Sequence, residues 1–80
     1  MRIKEAVARR IVMLCEDRGL AINTLANEAG MPPTTIYSIL SEKSQNPGVV
    51  SIQKICDGLG ITITEFFDDA LFSDLEQEIQ

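Results

Sequence analysis

Residues 22–41, INTLANEAGMPPTTIYSILS, spell two short helices joined by a tight turn. Leu25, Ala26 and Ala29 share one face of the first helix by i, i+1, i+4 spacing. Gly30 follows, where a sharp turn asks for positive φ and no Cβ. Met31 re-enters the core, and Pro32-Pro33 opens a second helix whose inward face is Ile36, Ile39 and Leu40. The small Ala26 lets the two helices cross closely. Pro33, Thr34, Tyr37 and Ser38 are left on the outward face. A helix-turn-helix unit of this kind serves mainly to press one helix face into a DNA major groove.

Further helices flank this unit. Residues 4–18 carry a buried stripe of Val7, Ile11, Leu14 and Cys15, and Gly19 ends it. Residues 22–29 and 33–41 form helices 2 and 3. Residues 41–48 are a polar loop that finishes in Asn46-Pro47-Gly48. Helix 4 spans about 50–58 with Ile52, Ile55 and Cys56 inward, although Gly58 costs it about 1 kcal/mol relative to alanine. Gly60 supplies the next turn, and Thr64 is expected to cap helix 5, with Glu65 favourable in its first turn. Beyond residue 69, Leu71, Leu75 and Ile79 recur at i, i+4, i+8 and predict one more helical stripe.

The pattern resembles the lambda-repressor/Cro-like (xenobiotic-response-element) helix-turn-helix family over about residues 5–69. Leu20, Leu25-Ala26, Ala29-Gly30, Thr35-Ile36, Asn46-Pro47, Ile52, Ile55, Leu59-Gly60-Ile61 and Glu65-Phe66-Phe67 carry the resemblance. The LA…AG turn alone is a weak signal. The Asn-Pro linker and the LGI…EFF ending, at the right separations, make it strong. The resemblance implies an all-α, five-helix DNA-binding domain at residues 1–69, with an amphipathic helical tail at 70–80. It also implies a sequence-specific transcriptional regulator, expected to be a repressor, that binds double-stranded DNA through helix 3.

Composition bounds this expectation. Eighty residues make one domain with a small core. No apolar run is long enough to span a membrane. The opening MRIKEAVARRIVML holds Glu5, Arg9 and Arg10 and lacks a small-residue cleavage site, so it reads as helix and not as a signal peptide. Cys15 and Cys56 form no CxxC pattern, which suits reduced thiols in a cytoplasmic protein. With no histidine, no nucleophile set, no glycine-rich phosphate loop and no ligand cluster, neither an enzyme nor a metal or cofactor is expected.

The net charge of −5 opposes DNA binding only if averaged. Residues 1–54 hold seven bases and five acids, net +2. Residues 55–80 hold seven acids and no base, net −7. Screening confines each charge to about 8–10 Å, so a mildly positive reading face can coexist with an acidic far end.

By the resemblance, base edges are met by Pro33, Thr34, Thr35 and Ser38. Many relatives carry Gln, Arg or Asn there. Threonine and serine discriminate less, while threonine and proline carbons can contact a thymine methyl, so readout is expected to be part apolar and part shape-dependent. Tyr37 is a candidate for a phosphate or base edge, the alternative being a half-buried ring on the loop. The Pro pair removes N–H groups from the start of helix 3. Phosphate contacts are then expected from Lys43, Ser44, Gln45 and the Asn46 backbone, and from Asn23 or Thr24 at the start of helix 2. There Ile22 replaces the glutamine that relatives often use. Cys15 and Leu40 stand where many relatives bury an Arg–Glu pair, and both have become apolar together.

Two functional classes remain open. One is the DNA-binding regulator. The other is a protein-binding helix-turn-helix module, such as an antitoxin or a partner subunit, which suits the acidic tail. The Met1 start favours a self-standing chain over a domain excised from a longer one. A homodimer is expected through the C-terminal end, using Phe67, Leu71, Phe72, Leu75 and Ile79. The alternative is that the tail folds back on helices 1 and 5 of its own chain.

Overall fold

The computed structural model describes residues 1–41 and 46–79. Five α-helices follow one another: α1 (Ile3–Asp17), α2 (Ile22–Ala29), α3 (Pro33–Leu40), α4 (Val49–Leu59) and α5 (Ile63–Phe67). A single 3-10 turn, Ala70–Phe72, comes after them. No strand occurs among the described residues. The all-α, five-helix expectation is met.

The core is built by the stripes read from the sequence. Val7, Ile11, Leu14 and Cys15 from α1 meet Leu25, Ala26 and Ala29 from α2, Ile36 and Ile39 from α3, and Ile52, Ile55 and Cys56 from α4. Phe66 closes this core from α5 and is fully buried. Leu40 is only half-buried at its edge.

Gly30 adopts φ +66° as the C-cap of α2. Its N–H donates to the Asn27 carbonyl at 3.2 Å, and that of Met31 to the Ala26 carbonyl at 2.9 Å. These bonds satisfy two carbonyls at the helix end and aim the chain into α3.

Gly58 has a reason that propensity alone conceals. A Cβ there would stand 3.0 Å from the Ala29 backbone nitrogen and 3.2 Å from its Cα. The absent side chain lets α4 press against the end of α2. Glycine's helix penalty is offset by that closer approach.

Two local expectations are corrected. Thr62, not Thr64, caps α5. Its hydroxyl accepts from the Glu65 N–H at 3.0 Å, and Glu65 Oε1 accepts from the Thr62 N–H at 3.1 Å. This reciprocal capping box outcompetes a start two residues later.

The tail is the second correction. The Leu71, Leu75, Ile79 spacing does not become a helix; helical structure stops at Phe72. A stretch this short has little helical stability of its own, and its groups are engaged elsewhere. Asp69 Oδ1 accepts from the Leu71 N–H at 2.9 Å. The Glu76 N–H donates to the Met1 carbonyl at 3.1 Å.

Phe72 packs on Phe67 with ring centroids 4.9 Å apart, and Phe67 on Phe66 at 5.0 Å. Of the five residues expected to form a pairing surface, Phe67, Leu71, Phe72 and Leu75 are half-buried within the chain. Ile79 alone is fully open, at 86% exposed.

One long-range clasp secures this end. Arg10 Nε donates to the Phe66 carbonyl at 2.7 Å, and Nη2 to the Glu65 carbonyl at 2.9 Å. Nη1 reaches Asp69 Oδ2 at 3.3 Å. The guanidinium thus serves two terminal carbonyls of α5 and one tail carboxylate at once.

Candidate nucleic-acid interface

α3 is held by its buried edge, Ile36 and Ile39, and turns the opposite edge outward. Pro33, Thr34, Tyr37 and Ser38 are exposed, and Thr35 is half-buried. Tyr37 is 52% exposed, so its hydroxyl is open to a partner. α3 carries no charged residue, and its face is small, polar and methyl-rich. Such a surface can enter a groove without desolvating a charge.

Thr34, Thr35, Ser38, Asn46 and Ser51 line one shallow polar cleft. The cleft joins the expected loop residue Asn46 to the expected helix residues. It adds Ser51, the third residue of α4, which the sequence reading passed over. The available signal was a small polar residue three places after the Asn-Pro-Gly turn, between Val50 and Ile52. Asn23 is exposed in the first turn of α2 but does not line this cleft. Lys43, Ser44 and Gln45 lie outside the described residues.

The helix starts around the cleft matter because free N–H groups attract anions. Pro33 has no N–H, and the Thr35 N–H donates to the Pro32 carbonyl at 3.0 Å. The start of α3 therefore offers little beyond the Thr34 N–H. The N-cap positions of α2 and α4 are Ala21 and Gly48, neither of which supplies a side-chain cap. α5, by contrast, is closed by its capping box. α1, α2 and α4 all start without a side-chain cap, and of these the start of α4, through Ser51, lies beside the α3 face.

The described cations are placed differently from what the charge count suggests. Arg10 is committed to α5 and Asp69. Arg2 pairs with Glu78 at 3.2 Å, and the Met1 ammonium with Glu76 at 3.3 Å. Arg9 stands 3.9 Å from Glu5, and Arg18 bonds its own helix at the Leu14 carbonyl. The acidic tail lies against the basic half of the chain instead of at a separate far end. Much of the positive excess of residues 1–54 is thereby neutralised within the molecule.

Both cysteines are free and buried. Burial pushes the Cys15 thiol up, against a smaller opposing pull from Arg18. Burial and then the nearby Asp57 carboxylate push the Cys56 thiol up. They pack as small apolar groups. No group of three or more metal-ligating side chains occurs among the described residues, and no helix among them is long and apolar enough to cross a membrane.

Residues 10–70 match the model of the Cro/C1-type HTH DNA-binding domain. Among solved structures, the crystal structure of the prophage Lp1 protein 11 is similar at 29% identity and a TM-score of 0.81. The match covers 94% of this chain and 100% of that one. No curated protein matches the chain.

Proposed function

Because the chain belongs to the Cro/C1-type helix-turn-helix DNA-binding family, we propose that it is a transcriptional repressor that lays α3 in the major groove of double-stranded DNA. The observation that carries this reading is the outward face of α3. Thr34, Tyr37 and Ser38 are exposed on a helix whose other edge, Ile36 and Ile39, is buried, beside the uncapped start of α4.

Thr34 and Ser38 meet base edges, and their carbons with those of Pro33 meet thymine methyls. Asn46 and Ser51 line the cleft beside this face for the sugar–phosphate chain, and Asn23, Lys43, Ser44 and Gln45 are the further candidates by sequence. The chain is a binding domain and not an enzyme, in keeping with its family.

Pairing belongs to the same proposal. A single domain reads only a few base pairs, and two copies on half-sites about 34 Å apart supply the missing specificity. Phe67, Leu71 and Leu75 stay half-exposed after the tail docks, with Ile79 open beside them. Val49 and Val50 extend this apolar surface next to Phe67. The placement of a small repressor with its operator is the cytoplasm.

Selection from randomised duplex DNA tests both parts. A two-fold symmetric consensus supports the reading, and the absence of any enriched sequence overturns it. The internal neutralisation of the arginines favours a second reading, a module that docks on another protein. Retention on heparin with salt-dependent elution separates the two, because only the DNA reading requires polyanion binding.

A further inference from the structure

We infer that the N-terminal cations Met1 and Arg2 form a phosphate-binding site at the C-terminal end of α3, and that the acidic tail covers it in the free protein. The inference rests on the DNA-binding reading above and assigns that surface a further contact and a competitor. Met1, Arg2 and Lys4 line a surface depression together with Leu40 and Ser41, the last residues of the α3 segment. A recognition helix puts its first residues against base edges, and in the homeodomain variant of the motif its far end contacts the backbone. Cations beside Leu40 and Ser41 are therefore within side-chain reach of phosphates.

In the free chain other anions occupy them. Glu76 shares the depression and meets the Met1 ammonium at 3.3 Å, and Glu78 meets Arg2 at 3.2 Å. The Glu76 N–H donates to the Met1 carbonyl at 3.1 Å and fixes the register of the two ends. The carboxylates stand where phosphate oxygens would sit, so DNA and tail compete for the same two cations. All four side chains are partly open to water, and such pairs are individually weak. The cover is one that a duplex displaces, at a cost in affinity.

The test is binding of the whole chain to a short labelled duplex, followed by anisotropy over roughly 50–200 mM salt. Glu76→Gln with Glu78→Gln removes both carboxylates from exposed positions and spares the core. This variant should bind about three- to eightfold tighter at roughly 0.1 M salt, eightfold being the counterion contribution of one phosphate contact. Its salt slope should steepen by roughly 1.

Adding Arg2→Gln should return both quantities toward the intact protein. Glu16→Gln with Asp17→Asn removes two carboxylates from the other end of α1, about 22 Å away by helix rise, and should change neither by as much. Equal tightening by the two pairs would show a general charge effect and overturn the inference, as would no tightening by the tail pair. If neither the intact protein nor any variant binds duplex DNA, the DNA-binding reading itself falls, a result distinct from a tail without effect.

Discussion

Replacing Arg10 with alanine should destabilise the protein more than any other substitution of a charged residue in α1. Three donors are lost together, at 2.7, 2.9 and 3.3 Å. Hydrogen bonds that involve a charged group are worth about 1.5–3 kcal/mol each when both partners are shielded. Here the shielding is uneven. The Arg10 side chain is 12% exposed and that of Asp69 23%, while the bond to Glu65 lies at the surface.

Water can replace the donor at Glu65 but much less readily at Phe66, whose side chain is fully buried. Counting the Phe66 bond near full value and the other two as small gives a loss of about 2–3 kcal/mol. With an unfolding entropy of about 2.1 cal/mol/K per residue, an 80-residue chain should then melt about 12–18 °C lower. Lysine keeps the charge but cannot reach three acceptors in a fixed fork, so Arg10→Lys should recover less than half of the loss. Urea titration followed by far-ultraviolet circular dichroism measures both variants. An Arg10→Ala loss below about 1 kcal/mol, or a lysine variant equal to the parent, would refute the clasp as a stabilising element.

Three further outcomes are expected. Thr34→Ala or Ser38→Ala should each relax preference at one position per half-site by about 1 kcal/mol, measured against a panel of single-base operator variants; equal weakening on every sequence would make them backbone contacts. Gly58→Ala should lower stability by about 1 kcal/mol in the same urea titration, because overpacking against the Ala29 backbone (about 1–3 kcal/mol) outweighs the helix-propensity gain of about 1 kcal/mol; a more stable variant would show that α2 yields freely. Burial raises both thiols, so the folded chain holds their protons longer than the unfolded one: this stability is complete below the unfolded thiol value near 8.5 and declines as pH rises through the folded values. Thermal melts should therefore show an alkaline decline that shrinks in a Cys15→Ala/Cys56→Ala variant, and an unchanged decline would assign it to other groups.

The helices and their inward faces were legible because burial imposes a period. Leu25, Ala26, Ala29, Ile36 and Ile39 repeat at helical spacing, and all five are buried. Gly30 was legible because positive φ selects its residue type. Arg10 was missed because periodicity places it on the polar face of α1, while its partners lie 55–59 residues away. Only the seven acids without a base after residue 54 hinted that the C-terminal end needs cations from elsewhere.

The tail misled for the opposite reason. Leu71, Leu75 and Ile79 have helical spacing, but hydrogen bonds to Asp69 and Met1 hold the backbone in another path. At the site, the outward residues of α3 follow from the same period that buries Ile36. Ser51 joins them through the tertiary approach of α4, of which the sequence shows only a small polar residue among apolar neighbours.

The junction of Met1 with Glu76 makes the molecule a nearly closed ring whose two ends are each part of the other's support. Synthesis delivers α1 first, yet the partners of Arg2 and Arg10 arrive 55–76 residues later. A nascent chain must therefore hold α1 without its clasp until α2 to α5 have been made. The same closure means that the break in the chain need not fall where it does. Joining the present ends by a short flexible bridge and reopening the chain at another exposed turn should preserve the packing. Trimming either end should loosen the opposite one.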